Sequence, residues 1–226
     1  MAIWYNTGMS NDQCAYCAEG EPSEAIRILD LSASRVYLHR EQSHRGRVIV
    51  ACRSHVGDLI DLPRRERQAF MDDVARVAEA LRRIFSPQRI DYGSYGDASG
   101  HLHFHLVPKY AADAFEWGEP FALNPQRTFL SEAEYADLLA KIAAELYVGD
   151  GFDFRKALET MRTAIAADGK VTLCESAILL SATEPLEGSG AVMDGFIRLL
   201  REVRRDGVVT PEESAHIIDQ LNELLK

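Results

Sequence analysis

With 226 residues the chain has room for one large domain or for a domain and a small partner, and 46% apolar with 27% charged residues describe a packed core under a solvated surface. A formal charge of −10 excludes broad nucleic-acid binding, which needs clustered Lys and Arg, but leaves room for a nucleotide pocket with a few well-placed donors. No run of about 18 apolar residues occurs, which excludes a membrane span. The start, Met1 to Asn6, lacks a basic region followed by an apolar stretch, so no secretory signal is expected. Of the four cysteines, Cys14 and Cys17 are close together while Cys52 and Cys174 are scattered. That spacing points to metal ligation plus ordinary thiols rather than a disulfide framework, and a cytoplasmic protein is the simplest expectation.

Val36-Tyr37-Leu38 and Gly46 to Ala51 are rich in β-branched and aromatic residues, and the polar Gln42-Ser43-His44 between them predicts strand, turn, strand. Pro63 opens a helix, a place where its missing N–H is no loss. Phe70, Val74, Val77, Leu81 and Ile84 then recur at helical spacing, with Arg and Asp on the opposite face, until Ser86-Pro87 ends it. Arg89 to Tyr92 and Leu102 to Pro108 are further strand candidates across the loop Gly93 to Gly100, and a helix is predicted near Glu132 to Leu146. Strands with helices on one side predict an α+β domain on a largely antiparallel sheet, residues 1–147. Gly149-Asp150-Gly151 breaks the pattern, and residues 150–226 read as a small all-α domain.

That second part contains an internal repeat. Asp168-Gly169-Lys170-Val171-Thr172-Leu173-Cys174-Glu175-Ser176-Ala177 is echoed by Asp206-Gly207-Val208-Val209-Thr210-Pro211-Glu212-Glu213-Ser214-Ala215. In each copy a Thr with Glu three residues later predicts a capping box at a helix start. An EF-hand reading fails on chemistry: with each Gly at loop position six, the first and third ligand positions are Ala164 and Ala166, then Glu202 and Arg204, and Ala and Arg offer no oxygen ligand to calcium. The repeat resembles the small helical tails of TerB-like proteins.

Three of the seven histidines fall within five residues, in His101-Leu102-His103-Phe104-His105-Leu106-Val107-Pro108. Side chains alternate along a strand, so the imidazoles share one face, about 7 Å apart and facing solvent, while Leu102, Phe104 and Leu106 share the other and can pack on a helix. The alternatives are a plain alternating strand and a metal-dependent hydrolase in which His101 and His103 bind a catalytic ion. For Cys14 and Cys17, redox activity or incidental spacing stand beside zinc. His39, His44 and His216 are isolated and read as surface or satisfied core residues, Cys52 and Cys174 as small buried hydrophobes. The aromatics of Trp117-Gly118 and Pro120-Phe121 either cover a pocket or pack at an interface.

The His-x-His-x-His run followed by apolar residues resembles the motif of the histidine-triad superfamily. Cys14-Ala15-Tyr16-Cys17 resembles the Cys pair of its zinc-containing branch, Gly46 to His55 its strand ending in a ligand histidine, and the helix after Pro63 its long helix. The resemblance covers about residues 10–147. It implies His103 as the nucleophile, His105 as a phosphate contact, and a closed structural zinc site of Cys14, Cys17, His55 and His101. It also implies a nucleotidyl hydrolase or transferase acting at the α-phosphate of a dinucleoside polyphosphate, nucleoside phosphoramidate or nucleotide sugar, through a nucleotidyl-histidine, and a homodimer. His rather than Gln at position 105 leans toward hydrolysis. A donor to a backbone carbonyl would keep the outer nitrogen of His103 unprotonated, and Ser99 and His105 are candidate partners of the phosphoryl oxygens. A reading of another class is a nucleotide-responsive interaction module with weak turnover. The sequence departs from the family pattern in three places. Cys52-Arg53-Ser54-His55 replaces the usual Pro-Lys before the histidine, the loop before the triad is short, and the acidic ribose contact has only Glu41 near its place.

Overall fold

The computed structural model describes residues 14–17, 22–96, 100–112, 115, 117–147, 153–166 and 168–226. Five strands, β1 (Ala25–Asp30), β2 (Ser34–His39), β3 (Val48–Cys52), β4 (Arg89–Gly93) and β5 (His103–Lys109), form one sheet in the order β1-β2-β3-β5-β4 with every neighbouring pair antiparallel. Helices α1 (Arg64–Phe85) and α2 (Glu132–Tyr147) belong to the same half, and α3 (Phe154–Ala166), α4 (Leu173–Thr183), α5 (Ala191–Asp206) and α6 (Pro211–Leu224) follow. The class is α+β, as the sequence predicts, with a helical region after the sheet.

The period-two alternation of the strands sorts the sheet into two faces. Val36, Leu38, Val48, Val50 and Leu106 join the main apolar core with Phe70, Val74, Val77 and Leu81 of α1. Phe104 meets Phe70 there, ring centroids 6.0 Å apart. Tyr37, Ile49 and Ala51 point the other way and form a second cluster with Cys14 and Tyr16. Ala51 pairs with His103 and Ile49 with His105, so the register hands both histidines to that second face.

β1 is the strand that sequence periodicity does not reveal. Its pairing with β2 slips between Arg27 and Leu29, a bulge at Ile28 that breaks the alternation. The β1–β2 turn is fixed to α1 by Asp73, whose carboxylate accepts from Ser32 Oγ (3.1 Å), the Ala33 N–H (2.8 Å) and Ser34 Oγ (2.9 Å). Helix α1 stops at Ser86, which adopts a left-handed conformation (φ 46°) and donates its N–H to the Arg82 carbonyl.

The two repeat copies build as the capping pattern predicts. Thr172 and Thr210 each accept from the N–H of the Glu three residues on, and each Glu reaches back to the Thr N–H. The copies meet where Ser214 Oγ accepts the Val171 N–H at 2.8 Å. Helix α4 lies at the centre of this region and is buried almost all round; its Ser181 and Thr183 hydroxyls donate to helix carbonyls, so few polar groups go unmet. Against α2 it extends the sheet's core without a break: Ile28, Leu139, Ile178, Phe196 and Ile217 belong to one apolar cluster. The Gly149-Asp150-Gly151 break lies outside the described residues.

Candidate active site and metal centre

The turn Cys14–Cys17 is closed by the Cys17 N–H donating to the Cys14 carbonyl (3.0 Å), which puts both thiols on one side. Arg35 Nη1 pins it to β2 through the Tyr16 carbonyl (2.8 Å). Across from the thiols stand His55, just past β3, and His101, just before β5. Cys14 Sγ lies 3.3 Å from His101 Nδ1, Cys17 Sγ 3.2 Å from His55 Nδ1 and 3.4 Å from His101 Nδ1, and the two Nδ1 atoms are 3.3 Å apart. Four donors round a tetrahedral zinc, with bonds of about 2.0–2.3 Å, are themselves about 3.3–3.8 Å apart. His101 Nε2–H donates to the Cys52 carbonyl at 2.8 Å, which leaves Nδ1 as the lone-pair nitrogen facing the thiols. All four donor atoms lie within 4.8 Å of one another, so the set is that of a closed structural zinc site with no position left for catalysis.

His103 and His105 continue from this cluster. His103 Nδ1–H donates to the His101 carbonyl at 2.7 Å, so Nε2 is its unprotonated nitrogen. Burial holds His103 below the usual imidazole range, against the opposing pull of that hydrogen bond. His105 is pushed down further, first by burial and then by the Arg47 cation. Its Nδ1 lies 3.4 Å from Arg47 Nη2; a guanidinium can only donate, so Nδ1 accepts and the proton of neutral His105 sits on Nε2.

The structure corrects the expectation that the three histidines face solvent. His101, His103 and His105 are 0%, 4% and 8% exposed, because Tyr16 covers the first two, its ring 5.3 Å from each. The His103 and His105 rings are 5.0 Å apart and nearly perpendicular, closer than the strand rise implies. Ser99 lies outside the described residues.

Several residues join the site without a sequence signal of their own. His39 is not isolated: its ring stands 5.8 Å edge-on to His105, and burial lowers its pKa to about 4. Tyr95 and Phe121 flank His105 at 6.2 and 6.0 Å, and Gly93 makes this approach possible, since a Cβ there would meet Phe121 Cζ at 2.7 Å and Tyr95 Cε2 at 2.9 Å. Beyond these two rings opens a cavity of about 640 Å³, lined by Arg82, Arg89 and Tyr92 among others. Glu41 is engaged within the protein rather than facing a ligand: it accepts from the Ser43 N–H (2.7 Å), the Thr128 N–H (3.3 Å) and Arg47 Nη1 (3.2 Å). Burial alone would raise its pKa, but those partners bring it below the ordinary value.

A five-stranded antiparallel sheet with His103 and His105 in alternation on an inner strand, and His101 just before that strand, is the arrangement of a histidine-triad domain. The sequence agrees: residues 22–112 match the family model described as the HIT domain, and the chain carries that domain. Among solved structures, a histidine triad protein from Bradyrhizobium japonicum is similar at 21% identity over 55% of this chain and 92% of that one, with a TM-score of 0.52. One from Marinobacter aquaeolei matches at 19% identity over 55% and 90%, TM-score 0.51, and one from Sinorhizobium meliloti at 18% over 53% and 87%, TM-score 0.50. These are likenesses of fold. No curated protein matches the sequence. Among the described residues no helix is long and apolar enough to cross a membrane.

Proposed function

We propose that the protein hydrolyses or transfers the nucleotidyl group of a nucleotide derivative at its α-phosphate, with His103 as nucleophile. The observation that carries this reading is the hydrogen bond from His103 Nδ1 to the His101 carbonyl, which presents an unprotonated Nε2. Nε2 attacks the α-phosphorus, the bond to the leaving group breaks, and a nucleotidyl-histidine forms. Water then attacks the same phosphorus and releases the nucleoside monophosphate, or another acceptor takes it in a transferase. His105, holding its proton on Nε2, is a donor suited to a phosphoryl oxygen as charge grows there. Zinc at Cys14, Cys17, His55 and His101 would tie the N-terminal turn to the catalytic strand and would take no part in the chemistry. The substrate class spans dinucleoside polyphosphates, nucleoside phosphoramidates and nucleotide sugars, and a homodimer is the expected assembly, measurable as mass by light scattering.

The test mixes purified protein with a dinucleoside polyphosphate or an adenosine phosphoramidate and compares wild type with His103→Ala. Release of nucleoside monophosphate by wild type, lost at least a thousandfold in the variant (roughly the scale of losing a nucleophile) while nucleotide binding persists, supports the reading. Equal release by both contradicts it. The near-complete burial of His103 and His105 favours, as a second reading, a nucleotide-responsive module with weak turnover. For that module the His103→Ala protein keeps its cellular role.

A further inference from the structure

One charged group at the histidine site enters the scheme above only through the His105 tautomer. Arg47 follows Gly46, whose left-handed turn (φ 89°) fits only a glycine because a Cβ would meet the Phe85 ring at 2.7 Å. The turn sends the guanidinium over the Phe121 ring, 5.2 Å from its centroid, and against His105. Its side chain is 14% exposed, it is gripped on one side by Glu41, and its buried Nε–H meets no acceptor among the described residues. Arg127 stands close enough to repel it. A chain with a net charge of −10 thus gathers two cations against one carboxylate beside an uncharged histidine.

We propose that Arg47, braced by Glu41, is the phosphate-receiving cation of the histidine site and also fixes the His105 tautomer that donates from Nε2. Three features of the geometry converge on this role. His105 accepts at Nδ1 and supplies no charge to balance a phosphate, and Arg47 is the cation that touches it. A guanidinium has five donors, of which Glu41 and His105 take one each, leaving others for oxygen atoms of an anion. Glu41 is held by two backbone N–H groups besides Arg47, so it works as a fixed brace that aims the guanidinium, which makes it a positioning residue.

The inference rests on the nucleotide reading of this site, and its test separates the two. Binding of adenosine 5′-monophosphate and of adenosine to the full chain is measured by calorimetry for wild type, Arg47→Gln, Arg47→Lys and the double variant Glu41→Gln/Arg47→Gln. The double variant leaves no unpaired buried carboxylate, so it keeps the test valid if Arg47→Gln fails to fold. The expected loss of affinity for the monophosphate is about ten- to hundredfold, the scale of a charged hydrogen bond. Adenosine affinity should stay unchanged, and Arg47→Lys should recover part of the loss. The same loss should appear when His103 is Ala, since the contact does not depend on the nucleophile. Equal loss for both ligands assigns Arg47 a merely structural role and overturns the proposal, as does undiminished monophosphate binding. In either case the His103 reaction stands on its own test; absence of any binding by wild type overturns both.

Discussion

Asp73 shows how one residue can set the frame for a site it never touches. Its three hydrogen bonds fix the β1–β2 turn on α1, and β2 carries Tyr37 and His39 to the histidine face. Asp73→Ala should cost about 3 kcal/mol in denaturant unfolding, because two hydroxyls and one N–H lose an ionised acceptor; a shift of the midpoint too small to measure would mean water replaces it freely. His39 and His105 make an acid-side prediction. Both are held neutral below the ordinary imidazole value of 6.5, His39 down to about 4. Between those pH values the unfolded chain binds more protons than the folded one, so stability should be level above 6.5 and fall as pH drops toward 4. Thermal unfolding between pH 8 and 4 reads this directly, and a transition temperature independent of pH on the acid side would contradict it.

Elements are where sequence and structure agree most, and where the differences are instructive. Helix α1 and strand β5 were legible because Phe70, Val74, Val77 and Leu81 keep a helical period and Leu102 to Leu106 a period of two, and both patterns survive burial. Strand β1 was not, because the Ile28 bulge destroys its alternation. The Cys14 and Cys17 pair was legible as metal-type spacing, and the family resemblance, not local pattern, joined His55 and His101 to it, whereas the covering of His103 by Tyr16 is a long-range contact with no local signature. His39, Arg47 and Phe121 likewise reach His105 only through strand register and loop path. The Cys14–Cys17 turn tests the metal assignment. Burial first, and then the neighbouring Cys14, push the Cys17 thiol up to about 11, so metal must displace protons to bind. Zinc uptake should release about two protons, and apparent affinity should fall roughly a hundredfold for each pH unit below neutrality. Chelator competition at two pH values measures it, and proton-independent affinity would exclude thiolate ligation. In the helical repeat, Thr172→Ala and Thr210→Ala should each cost about 1 kcal/mol through loss of the cap.

At the scale of the molecule, α2 is the hinge of the account. It packs on α1 on one side and on α4 on the other, and Arg204 of α5 reaches Asp137 of α2 at 2.6 Å. The apolar cluster runs through it from sheet to tail. We propose the helical region as a unit that stabilises the catalytic half as well as carrying whatever partner surface it presents. A chain ending at residue 147 should therefore unfold at lower denaturant than the full chain, with the uncovered apolar face of α2 promoting association. Unchanged stability on truncation would make the tail an independent appendage. The claim on which the rest depends is covalent catalysis at His103, and it is tested most directly by rapidly quenching the protein with an adenosine phosphoramidate and mapping the adduct by mass spectrometry. The expected result is a gain of one adenylyl group on the peptide holding His103, absent from His103→Ala. Turnover with no adduct at any quench time, or an adduct that persists in His103→Ala, would contradict it.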